Sequence, residues 1–145
     1  MSKVEKFLSA EHEREVVEAI RLAEKETSGE IRVHIERKCA ADSFERAKEV
    51  FHLLKMDETE LKNGVLIYLA VDDHVFVICG DKGIDDVVPE NFWNSTKDIM
   101  ASHFRNGDFK KGLVAGISMA GAELRAHFPC ETGDRDELAN EISNG

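Results

Sequence analysis

Residues 65–71, Val-Leu-Ile-Tyr-Leu-Ala-Val, contain no charge and no turn former. Successive side chains of a strand point to opposite faces, so a run apolar at every position must be covered above and below. That excludes a sheet with one wet face and asks for three layers. Asp72-Asp73-His74 leaves room only for a tight turn, and Val75-Phe-Val-Ile-Cys79 is apolar again. The two runs therefore read as an antiparallel hairpin at the centre of a sheet.

Glu30 to Glu36 behaves differently. Ile31, Val33 and Ile35 alternate with Arg32, His34 and Glu36, the pattern of a strand with one buried face, at or near an edge. Between this strand and Val65, Asp42 and Glu45 have capping-box spacing, and Phe44, Ala47, Phe51 and Leu54 form a helical stripe. Strand, helix and strand make a βαβ unit with parallel strands.

Upstream, Ser9 caps a helix whose apolar positions are Val16, Ala19, Ile20 and Ala23; it stops at Thr27-Ser28-Gly29, where glycine can turn left-handed. Downstream, Pro89 stands where a helix would begin, marked by Phe92, Trp93, Thr96, Ile99, Met100, His103 and Phe104, with Trp93 read as core. Asp108 caps a last helix carrying Leu113, Ile117, Ala120 and Leu124, and Gly112 and Gly116 would let it approach the sheet closely. The expected fold is α/β: a three-layer α/β/α sandwich, with a small mixed sheet of a βαβ unit plus an antiparallel hairpin strand and helices on both faces. Residues 1–129 form one domain, and 130–145 read as an acidic, mobile tail.

The net charge of −10, from 29 acids against 19 lysines and arginines, argues against nucleic acid, which requires a basic stripe, and is compatible with binding cations. Cys39, Cys79 and Cys130 are odd in number and distant, with no CxxC, so neither a disulfide framework nor a structural zinc site is expected. No stretch approaches a membrane span, and the N-terminus has no signal-peptide core, so a soluble, cytoplasmic protein is expected. The six histidines show no HExxH or HxH spacing. GxSxG, P-loop, CX5R and DxDx(T/V) motifs are absent as well.

The topology gathers acids at two rims. An antiparallel third strand ends beside the starts of the first two, which brings Glu30, Asp81, Asp85 and Asp86 to one rim, with Glu90 close by. Such acids on a glycine-bearing turn supply hard oxygen ligands of the kind calcium or magnesium takes, and read equally as a solvated turn with helix-capping acids. At the opposite rim Asp42, Asp72, Asp73 and Asp108 compete, although Asp72-Asp73 reads better as a plain turn and Asp108 as a cap.

Four segments in order carry a family resemblance: Thr27-Ser-Gly-Glu-Ile-Arg-Val33, Asn63-Gly-Val-Leu-Ile-Tyr68, Gly80-Asp-Lys-Gly-Ile-Asp-Asp-Val-Val-Pro89 and Phe104-Arg-Asn-Gly-Asp-Phe-Lys-Lys-Gly112. From about Phe7 to Pro129 the chain resembles the TPM-domain family, which includes thylakoid-lumen acid phosphatases. The resemblance implies an α/β/α sandwich, divalent cation binding with calcium favoured, and, in plant members, phosphatase activity. Three functions are thus in view: a calcium-binding accessory or interaction domain, a metal-dependent phosphomonoesterase, and a metal-independent protein-binding module that would use the Phe92-Trp93 region.

Overall fold

The central strand is β2 (Gly64–Ala70), and every one of its residues is buried. It pairs in parallel with β1 (Glu30–Glu36) and antiparallel with β3 (Val75–Gly80), as the hairpin and βαβ readings require. The computed structural model describes residues 9–25, 27–39, 42–59, 61–88, 91–129 and the backbone of 142–144. Within them the sheet runs in the order β3-β2-β1-β4, where β4 is Ile142–Asn144. It pairs in parallel with Val33, His34 and Ile35. The described part of the expected tail thus belongs to the sheet. The physical gain is that β1, one strand in from the edge, has part of its free edge hydrogen-bonded.

Three helices cover one face of the sheet. They are α1 (Ala10–Glu24), α4 (Asn94–Arg105) and α5 (Phe109–His127); α2 (Ser43–Leu53) packs on the other face, and α3 (Lys82–Asp85) is a single turn after β3. Val16 and Ile20, Met100, and Leu113, Ile117 and Leu124 meet Ile31, Val33, Ile35, Val65, Ile67 and Leu69 in the larger core. Ala47, Val50 and Phe51 meet Leu66, Tyr68, Val77 and Cys79 in the smaller one. Each fully buried Val, Leu, Ile, Phe or Met among them contributes roughly 1.5–3 kcal/mol by leaving water.

The caps act as their residue types suggest. Ser9 accepts from His12 N, Asp42 from Phe44 N and Glu45 N, and Asp108 from Lys111 N. Phe44 is a correction: it is half exposed, beneath the Lys48 ammonium, and Val50 takes its expected place in the core. Pro89 lies outside the described residues, and α4 begins at Asn94, with Trp93 at its N-cap and packed against the larger core.

The glycines act by proximity. Gly29 is not left-handed; a Cβ there would meet the Leu124 side chain at 2.9–3.2 Å, because the end of α5 packs over it. Gly112 and Gly116 admit Phe104 and Met100, so they let α5 approach helix α4 and not the sheet.

The largest departure is β1. Its polar alternation suggested one wet face, yet all seven residues are buried, Arg32, His34 and Glu36 at 9%, 5% and 5% exposure. Charge at that depth has to be compensated.

Candidate functional site

At the amino-terminal rim, β3 leaves the sheet at Gly80, and Asp81 N donates to Gly64 O at 2.9 Å. Asp81 then caps α3: its Oδ1 accepts from Lys82 N at 2.7 Å. Its Oδ2 is buried and has no hydrogen-bond partner among the described residues. Asp85 N bonds Asp81 O at 3.1 Å and Asp86 N bonds Lys82 O at 3.0 Å, so the three aspartates share one turn. Lost hydration, then the charges of Asp86 and Asp81, raise the Asp85 carboxyl above the usual aspartate range. The same negative field reaches Cys79, whose thiol is pushed up to about 11 by burial and then by Asp85 and Asp81.

Close packing holds this turn in place. Gly83 N bonds Lys62 O at 2.8 Å, and a Cβ on Gly83 would sit 2.3 Å from Leu61 O and 2.5 Å from Lys62 O. Only glycine fits without moving the 61–62 backbone.

Glu30 starts β1 on the same rim, paired with Gly64, and is 2% exposed. Because Gly64 lies between Glu30 and Asp81, their Cα atoms are two strand spacings, roughly 10 Å, apart. The surface above Gly64 is filled: a Cβ there would meet Met56 O, Met56 Cε and Phe51 Cζ at 3.4–3.7 Å. Met56 and Phe51 pack over Gly64, the position between Glu30 and Asp81 in the strand order. Asp81, Asp85 and Asp86 share one turn, and Glu30 starts β1 two strands away on the same rim; Glu90 is outside the described residues. Among the described residues no three His, Cys, Asp or Glu side chains are arranged to hold an ion by themselves.

The carboxyl-terminal rim does not assemble a competing group. Asp72 accepts from Arg37 Nε at 3.1 Å and Asp73 from Cys39 N at 2.6 Å. Asp42 serves its cap, and Asp108 serves its cap and a 3.7 Å ion pair with Lys111.

Sequence reasoning missed the buried polar face of β1. Arg46 of α2 grips Glu36 with two parallel bonds, Nε to Oε2 at 2.9 Å and Nη2 to Oε1 at 2.8 Å. The Tyr68 hydroxyl donates to the same carboxylate, and His34 Nε2 lies 3.1 Å from it. His34 and Tyr68 are paired across β1 and β2, their rings 6.0 Å apart. Burial works to raise the Glu36 carboxyl, but Arg46, Tyr68 and His34 together outweigh it and hold it down at about 2. Burial pushes the Tyr68 phenol above its ordinary value, and the Glu36 carboxylate and Cys39 add to that. Burial also lowers His34, against a smaller opposing pull from Glu36. At neutral pH the group is an ionised carboxylate among a guanidinium, a phenol and a neutral imidazole: a clamp between α2 and the sheet. The one sequence signal was a tyrosine inside the apolar run.

Other candidates resolve simply. Phe92 lies edge-on to Trp93 and to His127. His52 pairs with Asp57 at 2.9 Å.

These features define an α/β/α sandwich domain with an acidic turn, Asp81 to Asp86, at the sheet's amino-terminal rim. The chain belongs to the TPM-domain family, whose model matches residues 1–123. It is 57% identical to the BA42 protein of the psychrophilic bacterium Bizionia argentinensis, whose NMR structure superposes with a TM-score of 0.92 over 100% of both chains. The N-terminal domain of a P. gingivalis protein, solved by NMR, is 20% identical with a TM-score of 0.67, over 84% of this chain and 79% of that one, and shares the fold. No curated protein matches the chain. No described helix is long and apolar enough to cross a membrane.

Proposed function

We propose that this TPM domain binds a divalent cation, calcium or magnesium, at the Asp81–Asp86 turn and serves as an accessory or interaction protein. The observation that carries the reading is the Asp81 carboxylate, whose inner oxygen is buried without a hydrogen-bond partner among the described residues. Beside it Asp85 is raised by lost hydration and by its acidic neighbours. A doubly charged ion relieves that repulsion and supplies the missing partner. With few protein ligands, water completes the coordination shell, and the dissociation constant is expected on the order of 1 mM, the weak end of the calcium range. Calcium tolerates an irregular set of carboxylate and water ligands better than magnesium, which demands a near-ideal octahedron.

The phosphatase alternative draws nothing from the Glu36 network, where the imidazole and phenol are both displaced away from exchanging protons near neutral pH. Calcium also activates water weakly compared with zinc.

Calorimetric titration tests the proposal. Saturable calcium binding is expected in the wild type and is lost in Asp81→Asn, which keeps the helix cap but removes the charge. Thermal unfolding gives a second readout. At about 10 mM calcium and a dissociation constant of about 1 mM, mass action adds about 1.4 kcal/mol. For a chain of this size that raises Tm by about 3–5 °C. Binding that persists unchanged in Asp81→Asn, or no binding in the wild type, would remove the proposal.

A further inference from the structure

A cavity of about 260 Å³ opens at the other rim of the sheet, on the face covered by α4 and α5. Its walls include Leu69 at the end of β2, Phe76 opposite it on β3, Phe104 near the end of α4 and Phe109 at the start of α5, with Arg105 and His74 also lining it. The three phenylalanines form a continuous aromatic wall. Phe76 and Phe104 meet edge to face at 5.0 Å, and Phe104 and Phe109 stack at 5.7 Å.

Three observations bear on what the cavity accepts. The first is size. A dry apolar cavity of about 150 Å³ holds one benzene. The present volume leaves room for one ring and a short polar arm. The second is charge. Arg37 and Arg46 are engaged by Asp72 and Glu36, whereas Arg105 forms no ion pair among the described residues. No acid lines the cavity, and Asp72, Asp73 and Asp108 each already hold a partner in Arg37, Cys39 N and Lys111. Arg105, exposed at the cavity's edge, thus offers a hydrated guanidinium with no carboxylate on it among the described residues. The third is the lip. His74, in the turn between β2 and β3, lines the opening with its imidazole.

We infer that this cavity binds a small aromatic carboxylate, its ring against Phe76, Phe104 and Phe109 and its carboxylate at the Arg105 guanidinium, with His74 at the lip. The site lies at the carboxyl end of the parallel pair, the end at which open α/β sheets bind ligands. It is separate from the Asp81 turn and does not depend on a metal there. The aromatic wall supplies affinity by excluding water from the ring. Arg105 supplies selection, because a charge-assisted bond to a carboxylate exceeds one to a neutral amide.

The test is an NMR titration of the full chain, in chelator, with phenylacetate and with its neutral isostere phenylacetamide. Saturable shifts at Leu69, Phe76, Phe104 and Phe109 are expected for both, with the acid bound about fivefold more tightly. Arg105→Gln should abolish that preference while retaining binding of the amide, and Arg105→Lys should keep part of it. Arg105 is exposed on the last turn of α4, so neither change touches the core. The comparison of the two ligands in the wild type stands without any variant. Absence of saturable shifts at these residues overturns the inference. So does equal affinity for acid and amide in the wild type, or a preference for the acid that survives Arg105→Gln.

Discussion

Replacing Glu36 by glutamine should destabilise the protein by about 3 kcal/mol at pH 7. The figure comes from the carboxyl itself, which is displaced from its ordinary 4.5 to about 2. At about 1.4 kcal/mol per pH unit that displacement is worth about 3 kcal/mol of folding free energy. The side chain is 7% exposed, so little of this is lost to solvent screening. Glutamine keeps the shape but turns an amide N–H₂ toward Arg46 or Tyr68, both donors, and leaves the guanidinium facing a neutral group. For a chain of this size the loss lowers Tm by about 6–12 °C. The pH dependence is the sharper readout. A carboxyl with a lowered folded-state value contributes stability above its unfolded value and loses it as pH falls. The wild type should therefore lose its advantage over Glu36→Gln between pH 4.5 and about 2, and the two curves converge there. Urea unfolding at a series of pH values measures both. A deficit under about 1 kcal/mol at pH 7, or curves that stay parallel into acid, would refute the clamp.

Three further outcomes are expected. Asp85→Asn should stabilise the metal-free chain at neutral pH, because it removes a carboxyl raised by lost hydration and then by Asp86 and Asp81; the advantage should vanish in acid, where the wild-type group protonates, and urea curves at two pH values decide it. Gly83→Ala should cost about 1–3 kcal/mol, since its Cβ cannot enter without displacing the backbone at Leu61 and Lys62, and an alanine variant as stable as wild type would contradict the packing. Cys79, with its thiol pushed up to about 11 and its side chain buried, should resist iodoacetamide in the native state while Cys39, partly exposed, reacts, which mass spectrometry of labelled peptides can read.

Where the fold was legible, one local pattern determined one outcome. Residues 65–71 are apolar at both parities, and the strand is buried on both faces. Asp72–His74 is too short for anything but reversal, and β2 and β3 pair antiparallel. Asp108 caps because its side chain reaches Lys111 N three residues on. Where the reading failed, the deciding partner was remote. Arg32, His34 and Glu36 have the alternation of a wet face, and burial of Glu36 depends on Arg46 from α2 and Tyr68 from β2, which no window over β1 contains. Ile142–Asn144 sits in an acidic segment whose composition hides a strand. The candidate site divides the same way. Asp81, Asp85 and Asp86 share a turn because their spacing is one helical turn, whereas Glu30 reaches their rim only through the strand order, which no local window contains.

Amide shifts followed residue by residue as calcium rises to about 10 mM probe the acidic turn most directly. Saturable movement centred on residues 81–86, spreading into 61–64 through the Gly83 contact and leaving Asp72, Asp73 and Asp108 still, is the expected result. Spectra that do not change, or shifts centred on Asp72, Asp73 and Asp108, would contradict a cation at the amino-terminal rim.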